Sequence, residues 1–266
     1  MRELRAATGD FAPVLVAGAP ETAGRIVEAL SQGAEAGAVR DLSGRELGRY
    51  DVGGADVLVY AVEGAVGEED LAALRLADRH HVEVVCVLVG ERRGKIDVPH
   101  VLATDIVTIA PGEVLPVERI VERIAERVGD DGYKIASRIP VLRRAICEQI
   151  VRGFARQNGI LAAAIFIPGA DFPVLTLNQI RMVMRIAAAH NEDIGMKRGF
   201  ELLSIVGAGL GMRAVAHNAI GVIPILGWAV QGGIALAGTR ALGEAAIAYF
   251  QAGVPGRLEH AVRSRS

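Results

Sequence analysis

The run GAPETAGRI, residues 18–26, occupies the place of a phosphate loop, after the apolar run PVLVAG (13–18) and before a helical pattern. A Walker loop needs a glycine, four intervening residues, then Gly-Lys-Ser/Thr. Backbone N–H groups cradle the phosphates, the lysine reaches the outer ones and the hydroxyl ligates Mg²⁺. Here Ala23 follows Gly18 at the fifth place and Gly24 and Arg25 come next, so both lysine and hydroxyl are missing. Gly18, Gly24 and Arg25 remain as phosphate candidates, and Arg25 can hold a phosphate but cannot organise a metal. No Ser-His-Asp, Cys-His, paired-carboxylate or metal-ligand constellation stands out elsewhere, and His190 and His217 have no second ligand at metal spacing. The expectation is therefore no catalytic residue, no metal and no cofactor.

The elements that would position such a loop are legible. Apolar runs at 13–18, 37–42, 55–64, 82–90 and 104–112 alternate with helical patterns over 24–37, 67–81 and 117–128. Strands apolar on both faces and alternating with helices imply a parallel sheet covered on both sides. After the VEVVCVLVG strand, VGERRGKID (89–97) offers Lys95 and Asp97 without the asparagine of a guanine-reading loop, and no DxxG switch motif is found. Residues 1–130 are therefore expected to form a degenerate GTPase-like α/β domain that has lost its nucleotide machinery. A flavodoxin-like domain and a working nucleotide site are the alternatives. Cys86, in a strand, and Cys147, in a helical pattern, read as reduced thiols, and MRELRAATGD shows no apolar signal segment.

Composition narrows the rest. The 266 residues are 51% hydrophobic but only 4% aromatic, with mean hydropathy +0.33. The apolar mass is thus small and aliphatic, which suits close helix packing. A net charge of −2 argues against broad nucleic-acid binding, which needs a concentrated basic surface. Residues 131–157 read as a basic helical connector: Lys134, Arg138, Arg143, Arg144, Arg152 and Arg156 accompany Glu148. This is either a solvated helix face or a juxtamembrane segment held by anionic lipid. Residues 158–252 read as an apolar helical domain and 253–266 as a tail. An internal echo links Asn158-Gly159-Ile160 before Ile167-Pro168 with Asn218-Ala219-Ile220 before Ile223-Pro224.

Within that domain, Ala214 to Thr239 runs 26 residues without Asp, Glu, Lys or Arg, long enough to cross a bilayer. It also carries Pro224 and five glycines. A turn is expected between Pro224 and Trp228, with two helical arms of about 10–14 residues, each too short to span alone. A shallow or buried hairpin fits better than a straight span. Ile223, Pro224, Leu226 and Trp228 are the membrane-facing candidates. Glycines such as Gly233 and Gly238 would let helix backbones touch, in lipid or in a tight bundle.

The segments 167–190 and 222–250 resemble the YcjF-like family of unknown function number 697. The likeness is carried by Pro168, Asp171, Gln179, Met182, Gly238, Thr239, Arg240, Gly243 and Glu244 and extends from near Arg138 to Gln251. It implies a helical domain that follows a GTPase domain and associates with the inner membrane, and it supplies no catalytic residues. Asp171, Gln179, Arg181, Arg240 and Glu244 are the candidate polar positions of that domain. Asp171 fits a helix N-cap two residues before Pro173, with the arginines, Asn178 and Gln179 as possible partners.

The fold expected is thus α/β plus all-α: a small parallel-sheet, pseudo-GTPase-like N-terminal domain, then a Gly-rich apolar helical bundle. The function expected is a non-enzymatic protein at the cytoplasmic face of the inner or cell membrane, with lipid and either a protein partner (a GTPase among the candidates) or itself as partners. A GTP-responsive switch and a soluble homo-oligomeric scaffold in the cytoplasm are the alternatives.

Overall fold

The computed structural model describes residues 13–90, 98–164, 172–192, 194–196, 199, 204 and 227–253. The chain divides into two compact units, Met1–Ile146 and Cys147–Ser266.

The first unit is built on a five-stranded parallel sheet: β1 (Val14–Gly18), β2 (Val39–Ser43), β3 (Val57–Glu63), β4 (Glu83–Val89) and β5 (Ile106–Ile109). The order is β2-β1-β3-β4-β5, the flavodoxin-like doubly wound order. Its register pairs Gly18 with Ser43 on one side and with Ala61 on the other. Four helices accompany the sheet: α1 (Pro20–Leu30), the short α2 (Arg49–Val52), α3 (Glu68–Arg79) and α4 (Val117–Val128). Alternate strand residues point to opposite faces. Leu15, Ala17, Leu58, Tyr60, Val62, Val84 and Cys86 pack on one face with Val52 and with Ala73, Leu74 and Ala77 of α3. Val14, Val16, Val59, Ala61, Val85 and Val87 turn the other way, to the side of α1 and α4, and are equally buried. Both faces are covered, which is why the strands read as unbroken apolar runs.

The helix starts carry their own chemistry. Pro20 occupies the first position of α1 and Glu21 its first turn. Asp70 accepts a 2.8 Å bond from the Gly67 N–H ahead of α3, with Glu68 and Glu69 beside it, so anionic groups lie where the helix dipole favours them. The buried Asp105 at the entrance to β5 is held by Arg127 of α4 at 3.2 Å, and Arg127 also pairs with Glu83 of β4. The helical stretch expected over 24–37 ends at Leu30, where Ser31 caps it, and does not continue through Gly33 to Gly37.

The basic segment is helical and half-buried. α5 (Tyr133–Arg138) and α6 (Pro140–Ala164) bury Ile135, Ala136, Ile139, Leu142 and Ile146 while Lys134, Arg144, Arg152 and Arg156 are exposed. Its start docks on the first unit: the Glu35 N–H donates to the Arg138 carbonyl at 2.8 Å and the two side chains pair at 3.3 Å. The division between units falls after Ile146, inside α6.

In the second unit α6 continues and is joined by α7 (Phe172–Ala189) and α8 (Gly227–Gln251). α8 corrects the expected second arm. One 25-residue helix runs on past Thr239 and through Gly243, in place of an arm of about 10–14 residues. Among the described residues no helix is long and apolar enough to cross a membrane.

Helix contacts also correct the expected role of two glycines. Gly233 and Gly238 face open space, with nothing within 4 Å of where a Cβ would stand. The packing glycines are others. A Cβ on Gly232 would lie 2.8 Å from the Gly159 carbonyl oxygen of α6, and one on Gly243 would run into Val151. These pairs run in opposite directions, so α6 and α8 are antiparallel. Helical spacing alone does not tell which glycine of a rich stretch faces a neighbour.

Candidate functional site

The carboxyl edge of the parallel sheet is where open α/β folds bind ligands, at the crevice where the strand order reverses. Here that point lies between β1 and β3. One residue, Ala19, separates strand from helix: its N–H donates to the Ala61 carbonyl of β3 at 2.9 Å, and its own carbonyl accepts from Ala23. Gly18 has φ +95°, and a Cβ there would run into the Ala61 carbonyl oxygen. Its glycine serves a close approach of β1 to β3. The N–H that a phosphate loop would turn toward a ligand is instead bonded within the sheet.

A cleft of about 220 Å³ opens beside this junction, lined by Glu21, Thr22, Arg25, Glu63 and the β5–α4 turn through Glu113. Two of its three carboxylates are part of the framework. Glu63 accepts the Thr22 hydroxyl at 2.7 Å, and Glu113 accepts the Ala110 N–H at 2.9 Å. Arg25 is exposed on α1, and Gly24 lies within the helix with open space beyond it. Three carboxylates against one guanidinium make an unfavourable field for a polyphosphate. The structure thus places Gly18, Gly24 and Arg25 near one another without forming an anion cradle. Among the described residues no group of three or more His, Cys, Asp or Glu side chains is placed to hold a metal ion.

The thiols and the one buried phenol nearby are structural. Cys86 is fully buried, and burial, with the Asp70 charge second, pushes its thiol up to about 12. Burial likewise raises Tyr60, whose hydroxyl donates to Asp70 at 3.0 Å. Cys147 is also buried and reduced.

The second unit holds a different constellation. Asn158 of α6, Asn178 of α7 and Thr239 of α8 are buried among aliphatic side chains. The Asn158 amide donates to the Thr239 hydroxyl at 3.0 Å, and the Asn178 amide donates to the Asn158 carbonyl oxygen at 3.0 Å. Gln179 adds a 3.3 Å bond to the same hydroxyl. Three helices are thereby pinned at one level. Of the expected polar positions, Gln179 belongs to this node. Arg181 is exposed, and Arg240 pairs with Glu244 at 2.9 Å on the surface, four residues along the helix. Asp171, Ile223, Pro224 and Leu226 lie outside the described residues, as does the side chain of Trp228. His190 bonds the Ile186 carbonyl at 2.9 Å and stacks on Phe250.

Toward one end of the same unit, large apolar side chains are exposed: Ile160 at 63%, Val174 at 45%, Ile234 at 67% and Leu236 at 41%. They belong together because α6 ends where α7 and α8 begin. The close approach of Gly159 to Gly232 and Leu236 fixes that level. The uncharged run from Ala214 enters α8 at this end. Sequence reading named Ile160 only in an internal echo and none of the four as exposed, since an apolar residue on a helix is by default a core residue. Comparison with family models, curated proteins and solved structures finds no match for this chain.

Proposed function

We propose that this is a non-enzymatic protein that docks peripherally at the cytoplasmic face of the inner or cell membrane through the apolar end of its helical unit. The observation that carries the reading is the gathering of Ile160, Val174, Ile234 and Leu236 at the end where an uncharged stretch joins α8. Transfer of one aliphatic side chain from water is worth on the order of 1.5–3 kcal/mol when complete. Four partly exposed ones give an interfacial foothold, and among the described residues no helix is long and apolar enough to cross a membrane. The resemblance of this half to the YcjF-like family points the same way.

The α/β unit, on this reading, is a nucleotide-dead module, of flavodoxin-like strand order rather than the GTPase-like domain expected, that binds a protein partner or a second copy. Its support is the single-residue β1–α1 junction and the carboxylates beside it, which suit neither phosphate nor Mg²⁺ in the Walker manner. The scaffold reading draws on the same exposed end, which could equally close on a second copy. Membrane partition of the untagged protein in its own cells, with salt and carbonate washes, tests the proposal. Recovery in the pellet after the initial spin supports docking. Recovery in the supernatant from the start removes it and leaves the scaffold.

A further inference from the structure

We propose that the helical unit recognises anionic phospholipid headgroups through a belt of three arginines, Arg156, Arg181 and Arg240, and so enters the bilayer apolar end first to a fixed depth. This rests on the docking reading above and adds its orientation and its lipid class.

The polar node supplies the ruler. Asn158, Gln179 and Thr239 meet at one level of the three-helix unit. Arg156 lies two residues before Asn158, Arg181 two after Gln179 and Arg240 one after Thr239, and all three are exposed. Each helix therefore presents one arginine at the level of the node. From that level Ile160, Val174, Ile234 and Leu236 lie in one direction, whereas Met196, the other large exposed apolar residue described in this unit, follows the opposite end of α7. Ile160 is four residues beyond Arg156, Val174 seven before Arg181, and Leu236 and Ile234 four and six before Arg240. At 1.5 Å per residue these offsets are about 6 to 11 Å. That matches the depth of roughly 5–10 Å at which interfacial helices bury their apolar face, with basic residues at the headgroups.

Among the described residues the three arginines are the charges nearest this level, and only Arg240 has a carboxylate partner. The nearest described acid along α8, Glu244, lies a turn further from the apolar end and takes only the Arg240 Nε donor. Guanidinium groups pair bidentately with phosphate and tolerate partial desolvation, and their stems can lie along apolar surface. Continuity with the apolar end selects a lipid phosphate over a free one, which would leave Ile160 and Ile234 in water.

Flotation of the full chain with vesicles tests this, using phosphatidylcholine alone against equal parts phosphatidylcholine and phosphatidylglycerol. A basic residue near an anionic surface contributes about fivefold in binding, so three give a preference on the order of a hundredfold. The triple variant Arg156→Gln/Arg181→Gln/Arg240→Gln is expected to lose that preference and keep the binding to neutral vesicles. The pair Ile160→Ser/Ile234→Ser is expected to lower binding to both. All five positions are exposed, and thermal melts of the variants should overlay the parent. A triple variant that retains the preference overturns the belt. Equal binding of the parent to both vesicles also overturns it while leaving docking in place. Absence of binding to either vesicle removes docking and the belt together.

Discussion

The Asn158 amide donates to the Thr239 hydroxyl across 81 positions of sequence, inside a helical unit whose buried side chains are mostly apolar. Replacing one partner strands the other. Thr239→Val leaves the Asn158 and Gln179 amides without their acceptor, and a buried donor left unsatisfied costs about 1–3 kcal/mol. Thr239→Ser retains the hydroxyl and should recover most of that loss. Thermal melting of the two variants checks the order; a Thr239→Ser variant less stable than Thr239→Val would mean the methyl group, and not the hydroxyl, matters at this position.

Two pairs of glycines in α8 should respond in opposite directions. Gly243→Ala pushes a methyl into Val151, and Gly232→Ala pushes one against the Gly159 carbonyl, each costing about 1–3 kcal/mol through overpacking. Gly233→Ala and Gly238→Ala add a methyl in open space and should gain about 0.5–1 kcal/mol from helix propensity. Chemical denaturation of the four variants distinguishes them by sign.

The β1–α1 junction predicts silence in nucleotide titrations. Calorimetry of the full chain with GTP, GDP or ATP and Mg²⁺ should show no heat of binding and no shift in melting temperature. Saturable heat that Arg25→Gln abolishes would reinstate the switch.

Gly18 is expected to tolerate no side chain. Gly18→Ala combines a φ of +95° with a collision against the Ala61 carbonyl. The cost should be several kcal/mol, since strained φ and overpacking each contribute about 1–3 kcal/mol. Loss of the cooperative far-ultraviolet transition of the α/β unit reads it out.

Alkaline pH should weaken the first unit. The Cys86 thiol titrates near 9.0 when free and about 12 in the fold. Below 9.0 both states keep the proton and stability is unaffected. Between the two values only the unfolded state releases it, so stability falls by about 1.4 kcal/mol per pH unit. Tyr60, raised in the same direction, adds to the loss at higher pH. Cys86→Val should flatten the decline above pH 9.0 without abolishing it, as measured by denaturation at stepped pH.

The strands were legible because β1, β3 and β4 are buried on both faces and hence apolar throughout. Their lateral order was not, since a run such as VEVVCVLVG carries no mark of which strand lies beside it. In the helical unit, the 3.6-residue period shows that Ile180 and Ala187 share a face, but Asn158, Asn178 and Thr239 meet only through tertiary packing. Gln179 and Thr239 were noticed through a resemblance, whereas their partnership with Asn158 was not. The exposure of Ile234 beside the buried Gly232 is equally invisible in a stretch where nearly every residue is small or apolar.

The β1–α1 junction closes on its own sheet, with the Ala19 N–H already committed to the Ala61 carbonyl. A loop completed by a guest has a filled and an empty form, and the cell can time its actions by switching between them. A loop completed by its neighbouring strand has one form. On the proposed reading this module keeps no clock: its influence scales with the number of copies present and with where they gather, and is regulated through synthesis, turnover and crowding on a surface.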